Sequence, residues 1–162
     1  MNLTVQPVTA ETFEASWDVL TDAVAWTKSQ GRRQRISNIT RQTYMNWQSL
    51  AVNFAVWREE CIAGVFSLPI QSLQNWPSHD TGKPAVWLRA LATHSDFRGI
   101  GVGGFAIQFA LASIGGGTKL YLDCVAGFLP EYYQKMGFEF LDEQRMDGYE
   151  IVLMRHSNNG QN

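Results

Sequence analysis

The clearest chemistry in this chain of 162 residues lies in the run Arg98-Gly99-Ile100-Gly101-Val102-Gly103-Gly104. An extended apolar segment precedes it and an apolar helical pattern follows, so it joins a strand to a helix. At such a junction the exposed backbone N–H groups and the positive end of the helix dipole hold anionic oxygens. Glycine density lets the backbone approach a diphosphate without Cβ collisions. A tight turn against a sheet needs the same glycines, so a purely structural role is the alternative. Gly101-x-Gly103-x-x-Ala106 also matches the dinucleotide fingerprint, with Asp123 22 residues after Gly101. Two features oppose that reading. Residues 94–100 intervene between the expected strand end at Thr93 and the glycines, and only 61 residues remain after Gly101 to build the rest of a dinucleotide fold.

The other reactive side chains are sparse. Cys61 and Cys124 each sit in an apolar run, which suits small buried structural thiols. His79, His94 and His156 are far from the cysteines and from one another in sequence, so no metal site is expected. Formal net charge is −2, and the only dense basic cluster is Arg32, Arg33 and Arg35, which argues against nucleic acid or an anionic membrane as partner. That basic run either borders the mouth of an acceptor site, favouring an acidic acceptor, or is a solvated loop. The opening residues lack a basic-then-apolar leader pattern, and no run of about 18 apolar residues is present. The expectation is a cytoplasmic protein.

The elements that must position the glycine turn follow from periodicity. Leu3, Val5 and Val8 predict a short extended segment, and Phe13, Trp17, Leu20 and Val24 one face of a helix reaching about Gln30. Glu11, Glu14, Asp18 and Asp22 fall on the other side and read as a solvated face. Thr40 is placed to N-cap a second helix containing Tyr44, Trp47 and Leu50. Strands are expected at 53–57, 61–68, 85–93, 118–125, 138–144 and 149–155, helices at 103–114 and 129–136, and a long loop bordering the active site at 69–84. The order is β-α-α-β-β-β-α-β-α-β-β, an α+β fold with a mixed, mostly antiparallel central sheet flanked by helices. Residues 1–156 are read as one domain and 157–162 as a disordered polar tail.

The run 91–103, with Arg98, Gly101 and Gly103 filling the pattern Gln or Arg, two residues, Gly, one residue, Gly or Ala, resembles the acyl-coenzyme A site of the GNAT superfamily of N-acetyltransferases. A second block strengthens the likeness. Leu122-Asp123-Cys124-Val125-Ala126-Gly127, followed by Tyr132-Tyr133-Gln134-Lys135-Met136-Gly137-Phe138, resembles the family's fifth strand and its Tyr-x-x-x-Gly-Phe element. Residues 26–31 also look like the end of the first helix in some small bacterial members. The element order matches along the whole chain, while the specific motifs occupy about 50 residues.

The resemblance implies transfer of an acetyl group from acetyl-coenzyme A, as co-substrate, to an amine of a small molecule or peptide, with a homodimer among the assemblies it admits. Backbone groups of Leu91, Ala92 and Thr93 would pair with the pantetheine arm and stabilise the oxyanion. N–H groups of Arg98, Gly99, Ile100, Gly101, Val102, Gly103 and Gly104 would receive the diphosphate. Arg98 would act by its charge or by shaping the turn. Tyr133 matches the tyrosine that protonates the leaving thiolate, and Tyr132 is read as packing. The sequence also departs from the family. Gly127 and Phe128 stand where many members have Asn, and the strand around 86–90 has no Glu to serve as base. The base is left unassigned among Glu59, Glu60, His79, Asp123 and a water chain, and His94 is given a surface role. A non-catalytic acyl-coenzyme A-binding or regulatory domain is the alternative.

Overall fold

A computed structural model describes residues 2–32 and 35–158. The order begins β1 (Leu3–Pro7), α1 (Phe13–Ser29), α2 (Arg41–Ser49), β2 (Asn53–Arg58), β3 (Cys61–Ser67), β4 (Ile70–Gln71), β5 (Ala85–Trp87) and β6 (Arg89–Thr93). It continues with α3 (Val102–Ile114), β7 (Leu120–Val125), α4 (Phe128–Lys135), β8 (Glu139–Met146) and β9 (Tyr149–His156). The α+β class and the order read from the sequence hold, with two strands more than expected. The stretch 69–84 contains β4, and the single strand expected at 85–93 is broken at Leu88 into β5 and β6. The chain forms two compact units, Met1–Ser67 with Arg89–Ala110, and Leu68–Leu88 with Leu111–Asn162.

The first unit is built on an antiparallel sheet in the order β1-β2-β3-β6. α1 buries Phe13, Ser16, Val19, Leu20, Ala23 and Thr27, so its dry stripe lies partly to one side of the expected one and Trp17 is only partly covered. Of these, Phe13, Val19, Leu20 and Ala23 form one core with Tyr44, Trp47, Ala55, Val65 and Ala92. Thr40 caps α2 as expected, its Oγ1 accepting from the Thr43 N–H at 3.1 Å. A buried polar link fastens α2 to the sheet. Ser67 Oγ donates to Asn53 Oδ1 at 2.6 Å, and Asn53 Nδ2 donates to the Tyr44 carbonyl at 3.0 Å. Because Asn53 and Ser67 are both buried, these bonds satisfy groups that would be costly to leave unpaired.

β6 is distorted where it matters. The pairs Val65↔Ala92 and Ser67↔Arg89 leave Ala90 and Leu91 facing Phe66 alone, a β-bulge. Ala90 is buried and takes φ 54°, a left-handed conformation that costs a non-glycine residue roughly 1 to 2 kcal/mol. β6 is also the last strand of its sheet, so alternate backbone groups along Leu91, Ala92 and Thr93 point away from β3.

The second unit carries the sheet β4-β5-β7-β9-β8, antiparallel except for the β5–β7 pair. Its core includes Leu73, Trp76, Trp87, Val125, Ile151 and Leu153. The stretch expected as an open loop is tied down: Trp76 is buried and its indole N–H reaches Asp123 Oδ2 at 3.4 Å, while His79 Nε2 lies 3.1 Å from Asp142 Oδ2. At the far end, Asn158 donates from Nδ2 to the Leu111 carbonyl at 3.1 Å and accepts at its own carbonyl from the Gly117 N–H at 2.7 Å. Of the expected tail, residues 159–162 lie outside the described ones. Cys124 is buried as expected; Cys61, at the start of β3 beside the hairpin turn, is exposed. Among the described residues no helix is long and apolar enough to cross a membrane.

Candidate functional site

The approach to the glycine turn is gripped by α1. The pairing of β6 with β3 extends one residue past Thr93, where the His94 N–H donates to the Ala63 carbonyl at 2.9 Å. A single 3-10 turn, Ser95–Phe97, follows. His94 Nδ1 accepts from the Asp96 N–H at 3.1 Å, which leaves the proton of the neutral ring on Nε2, 3.6 Å from Asp22 Oδ1. Asp22 in turn accepts from Ser95 twice, from its N–H at 2.8 Å and from its hydroxyl at 3.1 Å. One helical turn later, Trp26 offers its ring to Arg98, whose guanidinium carbon lies 3.6 Å from the ring centroid. Asp22 is therefore a structural acceptor rather than part of a solvated stripe, and His94 is a cap rather than a bystander at the surface.

Past Arg98 the backbone turns sharply. Gly99 and Gly101 adopt φ 81° and 90°, and no atom lies within 4 Å of where a Cβ would stand on either. These two positions need glycine for conformation and leave open space above it. α3 then begins at Val102, and the Phe105 N–H closes its first turn on the Gly101 carbonyl at 3.0 Å. The amides of Val102, Gly103 and Gly104 precede that first intrahelical bond, at the positive end of the helix dipole. Such a donor set in open space suits the oxygens of a diphosphate. Ile100 is the one apolar side chain among these glycines and is half-buried.

The turn also depends on a residue absent from the sequence motifs. A Cβ on Gly64, in the middle of β3, would stand 2.5 Å from Val102 Cγ1 and 2.9 Å from the Ala92 carbonyl oxygen. Gly64 thus admits the first residue of α3 against the sheet. A glycine inside a run of strand-forming residues signals such a close approach and could have been flagged.

In the second unit, the Tyr-x-x-x-Gly-Phe element closes α4. The Phe138 N–H donates to the Tyr133 carbonyl at 3.1 Å and the Gly137 N–H to the Gln134 carbonyl at 3.0 Å, the two bonds of a Schellman cap. Gly137 supplies φ 97° and Phe138 folds its ring onto Tyr133 edge to face, centroids 5.8 Å apart. Tyr132 stands 36 % exposed, whereas Tyr133 is half-buried. Burial, then the neighbouring Cys124 thiol and Tyr132 phenol, push the Tyr133 phenol above the ordinary tyrosine range. Cys124, on β7, is itself pushed up to about 12, by burial first and then by the Asp123 charge. Both groups are neutral acids at physiological pH, and a phenol kept protonated is a proton donor. Gly127, read in the sequence as a departure from the family pattern, N-caps α4 at φ 125°, a conformation that suits glycine.

Of the basic run, Arg32 lies over Trp26 at 5.6 Å from the ring centroid, and Arg33 lies outside the described residues. Among the described residues no group of three His, Cys, Asp or Glu is arranged to hold a metal ion.

No protein-family model and no curated protein matches the sequence. Solved structures do. A GNAT-family acetyltransferase from Streptococcus agalactiae superposes with TM-score 0.78 over 96 % of this chain and 95 % of its own, at 11 % identity. The chain has the GNAT fold. PaiA N-acetyltransferase from Thermoplasma acidophilum, solved with coenzyme A, matches at TM-score 0.68 and 17 % identity over 97 % of this chain and 99 % of its own. Naa50 from Arabidopsis thaliana, in complex with the bisubstrate analogue CoA-Ac-MVNAL, matches at TM-score 0.68 and 14 % identity, with the same two coverages. At these identities the GNAT fold is what is shared.

Proposed function

We propose that the protein is an N-acetyltransferase that moves an acetyl group from acetyl-coenzyme A to a primary amine by direct transfer in a ternary complex. The observation that carries this reading is an open, glycine-built donor turn at the N-terminus of α3, in a fold whose solved examples include acetyltransferases. The turn from Arg98 to Gly104 receives the diphosphate, and the outward backbone groups of Leu91, Ala92 and Thr93 take the pantetheine amides like an added strand. The amine lone pair attacks the thioester carbonyl, and an N–H of that strand stabilises the oxyanion. The C–N bond forms, the C–S bond breaks, and the sulfur takes the phenolic proton of Tyr133. The proton lost by the amine returns through water to the phenolate.

The complex of Naa50 with a peptide-bearing analogue supports a peptide N-terminus as one acceptor class, beside small amines. The test is thiol release from acetyl-coenzyme A against a panel of amines, amino acids, polyamines and peptides, with Gly103→Asp as control. That change puts a side chain and a negative charge where phosphate is received, and it is expected to abolish measurable coenzyme binding while the protein stays folded. Unchanged binding by Gly103→Asp overturns the phosphate assignment. Binding by the parent without thiol release to any amine would leave a coenzyme-binding domain that is not an enzyme.

A further inference from the structure

The 3-10 turn Ser95–Phe97 stands directly before the glycine turn, with Arg98 alone between Phe97 and Gly99, and its N-cap is a histidine. A histidine cap differs from the usual Ser, Thr, Asp or Asn in that its acceptor nitrogen takes up a proton in the range of about pH 5 to 8. His94 Nδ1 accepts from the Asp96 N–H at 3.1 Å, and the Phe97 N–H closes the turn on the His94 carbonyl at 2.9 Å. Two carboxylates face the ring. Asp22, from α1, lies 3.6 Å from Nε2, and Asp96, from the turn itself, brings Oδ2 to 3.8 Å from Nδ1. β3 meets the residue at the uncharged Ala63 carbonyl, and the Phe97 ring stands edge-on with centroids 5.9 Å apart. The next cation along the chain, Arg98, lies over Trp26.

We propose that His94 is a proton-operated latch on the glycine turn: neutral, it caps the segment that leads into the turn, and protonated, it releases that segment and weakens coenzyme binding. This rests on the coenzyme reading above and adds a dependence on pH that the reading does not contain. A proton on Nδ1 consumes the lone pair that holds the Asp96 N–H. The new N–H turns instead to Asp96 Oδ2, exchanging a neutral hydrogen bond for a charge-assisted one. The ring is 27 % exposed and the Asp96 side chain 81 % exposed, so protons reach the ring and the carboxylate can follow it. On the opposite side the charged ring draws Asp22 Oδ1, which accepts from the Ser95 hydroxyl at 3.1 Å in the neutral state. The cap and the hydroxyl bond are weakened together, and the donors from Arg98 onward lose the support of the turn before them.

Two measurements on the purified full chain test this. Nuclear magnetic resonance follows the His94 ring and the hydrogen-exchange protection of the Asp96 amide, corrected for intrinsic exchange, from about pH 8 to about pH 5.5 without coenzyme. The protection should be lost with the same midpoint at which the ring takes up its proton. Calorimetric titration then measures acetyl-coenzyme A affinity across that range in the parent and in His94→Asn, which keeps a capping oxygen and carries no titrating ring. The phosphates of the coenzyme titrate alike with both proteins, so the difference between the proteins is the readout. The parent should lose about 3- to 10-fold more affinity than the variant on acidification, the size of one hydrogen bond. An Asp96 amide that stays protected while the ring titrates overturns the latch, as does an equal loss of affinity in the two proteins. If the parent binds no acetyl-coenzyme A at any pH, the coenzyme reading falls and the effect on binding falls with it, whereas the amide still decides whether the cap is proton-operated.

Discussion

Gly64 and Val102 approach so closely that a Cβ built on the glycine would stand 2.5 Å from Cγ1 of the valine. The second obstacle, the Ala92 carbonyl oxygen at 2.9 Å, is backbone and cannot rotate away. Gly64→Ala therefore has to part β3 from β6 or push α3 off the sheet. Overpacking of this kind costs about 1 to 3 kcal/mol, and a denaturant melt should show it. Because Val102 belongs to the glycine turn, acetyl-coenzyme A affinity should fall as well. A variant with parental stability and affinity would mean that the strand accommodates the methyl group by a shift too small to reach the turn.

Asp22 anchors the approach to that turn from α1, through two bonds to Ser95. Asp22→Ala removes a charged acceptor from a backbone N–H and a hydroxyl, a loss of about 1 to 3 kcal/mol. Asp22→Asn retains an acceptor oxygen and should lose less. Both variants should bind acetyl-coenzyme A more weakly, in the same order. Thermal melts and titration check this together, and equal behaviour of the Ala and Asn variants would remove the hydrogen-bonding account.

The sequence made the glycine turn and the Tyr-x-x-x-Gly-Phe element legible because each is a local backbone solution. Positive φ at Gly99, Gly101 and Gly137 and the helix boundaries beside them are written in residue type over a few positions. Thr40 was readable as a cap for the same reason. What escaped was long-range. Nothing within four residues of Asp22 reveals Ser95, 73 positions away, and nothing beside Trp26 names Arg98. The break at Leu88 was hidden because 85–93 is continuously strand-like, whereas the pairing that separates β5 from β6 is with strands distant in sequence. Cys61 was misread because a thiol in an apolar run is buried only if it lies inside the strand, and this one opens it.

His156 makes the stability of the second unit sensitive to pH. Its Nδ1 accepts from the Asn158 N–H at 3.0 Å, and its ring packs on Phe138 with centroids 5.3 Å apart. Burial lowers its pKa below the ordinary imidazole value, so the folded state binds the proton less readily than the unfolded chain. The contribution is complete above the unfolded pKa of about 6.5 and declines as pH falls below it towards the lowered folded value. Denaturant midpoints measured from about pH 7.5 down to about pH 5.5 should fall, and His156→Gln should flatten the decline in that window. An unchanged slope in the variant would assign the decline to other groups.

Tyr133→Phe removes one hydroxyl while keeping the ring that folds against Phe138. The cap of α4 depends on the Tyr133 carbonyl and on Gly137, not on the phenol, so folding should survive. Affinity for acetyl-coenzyme A should also persist, since the donor turn on α3 is untouched. A positioned proton donor contributes about 10²- to 10⁴-fold in rate, so the turnover number should fall by that range while the Michaelis constant of the acceptor changes little. The elevated pKa of the phenol has a second consequence: turnover should show no loss of the tyrosine proton up to about pH 10, where an ordinary phenol would already be half ionised. Tyr132→Phe, on the more exposed neighbouring ring, is the control and should be nearly silent. Steady-state thiol release from acetyl-coenzyme A, with the acceptor found by screening, measures both variants. If Tyr133→Phe turned over within about twofold of the parent, far short of the loss expected for a positioned acid, water would be the proton donor. A large loss confined to Tyr132→Phe would move the assignment one residue along α4.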